Sequence, residues 1–152
     1  MASAVLVGLV LYGLMTPLQR RTYPSHGPVH KCGLQMRGLA YGFRLWADDH
    51  DGKLPVADDD WVGFLVDNGY LAREMLTSPN DPVKGRVSYV YVPAESLDPT
   101  GDRVLVYEVP GLHDEHGVHI AFHDGSGELY QAEEAARIIE SLSREGWTRG
   151  SD

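Results

Sequence analysis

Apolar and polar positions recur with a helical period between Cys32 and Pro55, CGLQMRGLAYGFRLWADDHDGKLP. Cys32, Met36, Leu39, Phe43 and Trp46 follow one another at spacings of four, three, four and three, which aligns them along one side of an α-helix. Arg37, Arg44 and Asp48 fall on the far side. Leu34, Tyr41 and Leu45 form a second apolar patch away from the first stripe. A helix with two apolar sides is either covered twice or keeps one side for a partner. The Asp48-Asp49-His50-Asp51-Gly52 run predicts the end of this helix, and Pro55 forbids its continuation.

Upstream, Ala4 to Met15 (AVLVGLVLYGLM) carries no charge, and with Met1 to Ser3 the run approaches the roughly 20 residues of a membrane span. It lacks the basic leader and small-residue cleavage site of a secretory signal. We read it as a membrane or assembly helix on which Val5, Leu6, Leu9, Val10 and Leu14 are the contact residues; a buried core helix is the competing reading. The Arg20-Arg21 pair after the run would keep the remaining chain cytoplasmic by the positive-inside rule, whereas a basic leader ahead of it would reverse that orientation. Thr22 to Lys31 holds Pro24, Gly27 and Pro28 and reads as a linker.

Downstream, Asp58 to Asp60 predict the capped start of a short helix with Trp61, Phe64 and Leu65, stopped by Asn68-Gly69. Met75 to Arg86 is loop. The period then changes to that of strands: Val87–Val92, Arg103–Val109 and Gly117–Phe122, with a hairpin at Asp124 to Gly127 and a short return strand at Glu128–Tyr130. Ala132 to Arg144 is an amphipathic helix with Ala135, Ile138, Ile139 and Leu142 inward. The expected fold is therefore α+β: an N-terminal hydrophobic helix and a second helix packed on an antiparallel sheet of three or four strands, with a C-terminal helix. The segments are 1–21 (hydrophobic), 22–31 (linker), 32–146 (globular domain) and 147–152 (tail).

Composition narrows the chemistry. The 152 residues suit one domain with a real core, and a net charge of −9 argues against a nucleic-acid surface. A single cysteine excludes an internal disulfide and a zinc site of the Cys-pair type, so Cys32 reads as a core residue. His113, His116, His119 and His123 cluster in sequence with Asp114, Glu115 and Asp124. His119 and His123 share a strand face opposite Val118, Ile120 and Phe122, where they could approach one metal; a solvated strand face is the plainer and preferred reading. Asp49-His50-Asp51-Gly52 lacks the remaining ligands of a calcium loop and reads as a helix-ending turn. No nucleophile and base can be paired, so no enzyme is expected. No metal ligands or cofactor are assigned; calcium or a transition metal is the alternative.

Several stretches together resemble the bacterial type II secretion pseudopilin-like (prepilin-type, type IV pilin-like) proteins. They are the helix from Cys32-Gly-Leu-Gln-Met-Arg-Gly-Leu-Ala to Trp46-Ala-Asp-Asp-His-Asp-Gly-Lys-Leu-Pro55, the loop Thr77-Ser-Pro-Asn-Asp-Pro82, Ser88-Tyr-Val-Tyr91 and the hairpin strand Gly117-Val-His-Ile-Ala-Phe-His-Asp-Gly125. The apolar run ending at Thr16-Pro17-Leu18 sits where that family's membrane helix ends. The chain departs from the family in lacking a Gly-Phe-Thr-Leu-Ile-Glu-like processing motif, in having no acidic residue in the apolar run, and in carrying Thr77 where the family has a loop cysteine.

The resemblance implies a structural subunit anchored in the inner membrane, its globular domain extracytoplasmic in the cell envelope. Its partners would be other pilin-like subunits or copies of itself, in a secretion-related fibre. Leu34, Tyr41 and Leu45 are the expected subunit contacts. The alternative is a membrane-tethered binding domain on the same scaffold that does not polymerise and is metal-dependent.

Overall fold

A computed structural model of the chain describes residues 27–56, 60–98, 100–113 and 116–144. The apolar run carrying Val5, Leu6, Leu9, Val10 and Leu14, residues 22–26 of the linker and the 147–152 tail lie outside the described residues. Among the described residues no helix is long and apolar enough to cross a membrane.

The first helix, α1, spans Pro28–Asp49. It begins four residues before the expected start at Cys32, because proline obstructs a helix interior but suits the first turn, where its missing N–H has no intrahelical partner to lose. Residues 28–31 are therefore helix and not linker. The end falls where the acidic run predicts. His50 caps α1, Asp51 adopts φ +56°, and the Gly52 N–H returns to the Ala47 carbonyl at 2.7 Å. The His50 ring stacks on Trp46 with centroids 3.7 Å apart, and Tyr70 donates to Asp49 Oδ2 at 2.8 Å. That turn is structural.

Helix α2, Trp61–Asp67, is capped by the Asp60 carboxylate, which accepts from the Gly63 N–H. A 3-10 turn at Arg73–Leu76 follows. Four strands, β1 (Tyr89–Tyr91), β2 (Val104–Glu108), β3 (Val118–Phe122) and β4 (Gly127–Tyr130), form an antiparallel meander in the order β1-β2-β3-β4, and α3 (Ala132–Arg144) follows. Among the described residues the architecture is α+β, with three helices and a four-stranded antiparallel sheet.

Both faces of the sheet are covered. Met36, Leu39 and Phe43 of α1 are fully buried against Tyr89, Tyr91, Leu105, Val106 and Ala121. Each such side chain contributes about 1.5–3 kcal/mol by leaving water. Phe43 stacks between Tyr91 and Trp61, at 4.7 and 5.5 Å. On the opposite face Val90, Val92, Val104, Tyr107, Val118 and Ile120 meet Ala135, Ile138, Ile139 and Leu142 of α3.

A register irregularity between Val104 and Val106 explains how Leu105 and Val106 both face α1. It also sets the direction of Glu108, which follows Tyr107 and turns to the α1 side. Gly117 takes φ +108° with the Tyr130 carbonyl where a Cβ would stand, so β4 closes on β3 only if this position has no side chain.

A buried polar cluster beneath the first turns of α1

Most of the α1–sheet contact is apolar, but beneath its first turns it is not. Cys32, the first residue of the apolar stripe, has no exposed surface, and its Sγ lies 3.4 Å from Ser78 Oγ. Sulfur also approaches a carboxylate and an imidazole. Donor atoms of Cys32, Glu108 and His113 all lie within 4.8 Å of one another, and all three residues are buried.

Each member is held by a different element. Cys32 is placed by α1, whose Gln35 side chain donates to the Met75 and Thr77 carbonyls at 2.6 and 2.9 Å and so fixes the following loop against the helix. Glu108 ends β2, and His119 of β3 approaches its Oε2 through Nδ1 at 3.0 Å. His113 comes from the β2–β3 connection, with Nε2 2.8 Å from the same oxygen. The two side chains form a buried ion pair when the ring is protonated. Asn80 Nδ2 lies 2.6 Å from His113 Nδ1 and fixes the plane of the ring. The His113 and His119 rings meet edge to face with centroids 5.1 Å apart.

The cluster rests on the loop from Thr77 to Ser88. The Ser78 N–H donates to Ser88 Oγ, whose hydroxyl donates in turn to Asp81 Oδ2 at 2.8 Å. Asp81 also accepts from the Val83 N–H and from Arg86 Nε, and its side chain has no exposed surface. A buried carboxylate with several donors stays ionised, because each hydrogen bond favours the charged form.

Electrostatics follow from this crowding. Burial acts to raise the Glu108 pKa, but the contacts from His113, His119 and Ser78 outweigh it and hold the carboxyl at about 2. Burial acts to lower the pKa of His113, but the contacts with Cys32 and then Glu108 outweigh it and raise the ring to about 9. Two buried oxygens here lack hydrogen-bond partners among the described residues: Glu108 Oε1 and the Tyr89 hydroxyl. Tyr89 pairs with Glu108 in the β1–β2 register, and its ionisation is pushed up first by burial and then by the Glu108 charge.

A cysteine beside a histidine and a carboxylate is the order found in thiol nucleophiles, but a nucleophile must be reached. A groove of about 400 Å³ between the 3-10 turn and the loop is lined by residues that include Arg73, Leu76, Ser78 and Lys84. It reaches Ser78 and not Cys32. The same thiol, carboxylate and imidazole are a donor set suited to a borderline-soft divalent ion.

The histidines expected on one exposed strand face behave otherwise. His119 and His123 are buried, because α1 covers that side of β3; a Cβ on Gly33 would touch the His119 ring at 3.5 Å. They do not converge, since four residues along a strand span about 13 Å. His123 instead accepts the Asp98 N–H at Nδ1, and burial lowers its pKa. Asp124 holds a turn by accepting the Ser126 N–H. His116 is exposed, and Asp114 and Glu115 lie outside the described residues.

Leu34 and Tyr41 are exposed, at 55% and 62%, and Leu45 is half-buried. Helix α3 does not cover them, being on the other face of the sheet. Glu108 escaped the sequence reading; the available signal was one acid at the end of the apolar run VLVYE. Compared with known proteins, the chain matches no family model, no curated protein and no solved structure.

Proposed function

We propose that this chain is a pilin-like structural subunit of the cell envelope, tethered by its N-terminal apolar run and associating through the outer side of α1. The observation that carries the reading is the line Leu34, Tyr41, Leu45. These positions are seven and four residues apart, so they lie on one side of the helix. Two of them are large apolar side chains mostly in water. Scattered exposed apolar residues are ordinary. A set aligned on a 22-residue helix, about 33 Å long, has the form of a helix-to-helix contact. In sequence the helix follows the apolar run and precedes the strands, the order a tethered subunit requires. Other pilin-like subunits or copies of this chain are the partners, and no catalytic step is assigned.

The buried cluster favours a second reading, a tethered binding domain on the same scaffold that does not polymerise. The two separate on association. Full-length chain in detergent is sedimented over a concentration series, then freed of detergent and viewed by electron microscopy. The subunit reading expects concentration-dependent association and fibres. A monomer at every concentration, with no fibres, overturns it.

A further inference from the structure

We propose that Cys32, Glu108 and His113 form a binding site for a divalent transition-metal ion of the zinc type. The inference goes beyond the assembly reading and stands whether or not the chain polymerises. Zinc takes thiolate sulfur at about 2.3 Å and imidazole nitrogen or carboxylate oxygen at about 2.0–2.2 Å. Two ligands of one tetrahedral ion are then roughly 3.3–3.8 Å apart on the same bond lengths. Donor atoms already gathered within 4.8 Å need shifts of an ångström or less to close on an ion.

A second observation is independent of that spacing. Glu108 Oε1 is buried and has no hydrogen-bond partner among the described residues, although unpartnered polar atoms in an interior are costly and uncommon. An ion held by this carboxylate would satisfy it, with the His113 Nε2 already 2.8 Å from the other oxygen. The surroundings match what metal ligands usually have behind them. His119 Nδ1 supports the Glu108 carboxylate at 3.0 Å. The Asn80 amide meets the far nitrogen of His113 at 2.6 Å. Turned about its last bond, that amide presents its oxygen to Nδ1–H and leaves the Nε2 lone pair for the ion.

Charge balances: a thiolate, a carboxylate and a neutral imidazole bring two negative charges to a divalent cation, with protons displaced from sulfur and imidazole. Three protein ligands leave a fourth position for water. Ser78, which touches Cys32 Sγ, separates the site from the groove on the loop side.

The chain has one cysteine, which makes the test specific. Full-length protein is stripped with a chelator and titrated with cobalt(II). We expect a thiolate-to-cobalt charge-transfer band in the near ultraviolet and tetrahedral d–d bands in the visible. Both should saturate at one equivalent and bleach on adding zinc. Zinc should raise the melting temperature, since it binds only the folded chain. Glu108→Gln and His113→Gln should each weaken cobalt binding at least tenfold, and Cys32→Ser should abolish the charge-transfer band. Absence of that band in the wild-type chain overturns the proposal, and so does a melting temperature unmoved by excess zinc. Because both are read on wild-type protein, a variant that fails to fold does not remove the test. Unweakened binding in well-folded Glu108→Gln and His113→Gln would show an adventitious thiol complex and overturn the assigned ligand set.

Discussion

Asp81→Asn tests whether the loop beneath the cluster is held by a buried charge. Three donors converge on this carboxylate: the Val83 N–H at 2.8 Å, Arg86 Nε at 2.9 Å and the Ser88 hydroxyl at 2.8 Å. Asparagine keeps an acceptor for the Val83 N–H but loses the charge. Hydrogen bonds to charged groups contribute about 1.5–3 kcal/mol against about 0.5–1.5 for neutral ones. The buried Ser88 contact should therefore lose about 1 kcal/mol. Arg86 is 46% exposed, so its ion pair adds only about 0.5 kcal/mol.

Misplacing an amide NH₂ against the arginine brings the expected cost to about 2 kcal/mol, and Asp81→Ala, which strips all three contacts, to about 3–5 kcal/mol. The assay is urea unfolding of full-length wild type and variant across pH. Burial works to raise the Asp81 pKa, but the Ser88, Val83 and Arg86 contacts override it, so the folded value lies below the ordinary 3.8. A carboxyl depressed by folding contributes fully above its unfolded pKa, and the contribution fades as pH falls through the folded one. The wild-type advantage over Asp81→Asn should thus be constant at neutral pH and shrink below about pH 4. A difference under 0.5 kcal/mol (about a factor of two), or one that does not change with pH, would refute this account of the loop.

Other perturbations test the packing. Phe43→Ala empties the space between Tyr91 and Trp61 and should cost about 3–5 kcal/mol in urea unfolding; a loss below about 1 kcal/mol would mean the core had collapsed around the gap. Gly42→Ala sets helix propensity against sterics. Alanine gains about 1 kcal/mol in a helix interior, yet its Cβ would strike the Leu71 side chain and lie 3.0 Å from the Tyr70 carbonyl. We expect net destabilisation of about 1–2 kcal/mol, and a raised melting temperature would contradict the close approach. Gly117→Ala should lower the melting temperature sharply, because the Tyr130 backbone occupies the Cβ position; an unchanged melt would show that β4 can move aside.

The α1 stripe was legible because periodicity reports which residues leave water together, and Cys32, Met36, Leu39 and Phe43 are indeed fully buried. The antiparallel pairing of the last two strands was legible from the short turn at Asp124 to Gly127, which allows only antiparallel neighbours. The start of α1 was hidden by Pro28, a residue whose effect reverses with position in the helix. The cluster was hidden more deeply. Cys32 is distant in sequence from Glu108 and His113, and Glu108 faces α1 only because a bulge shifts the alternation of β2. Alternation along β3 did separate His119 from Ile120, but periodicity says which residues share a face and not whether that face is covered. Both faces here are.

The assembly reading rests on the outer side of α1, and Tyr41→Asp tests it most directly. Tyr41 is 62% exposed, so the substitution should leave the melting temperature nearly unchanged, within about 0.5 kcal/mol of stability. The measurement is the association constant of full-length wild type and variant by sedimentation, with thermal melts of the same samples. The account predicts association weakened at least tenfold, about 1.4 kcal/mol, in a chain that melts as the wild type does. Equal association of the two, or a variant that unfolds, would contradict it.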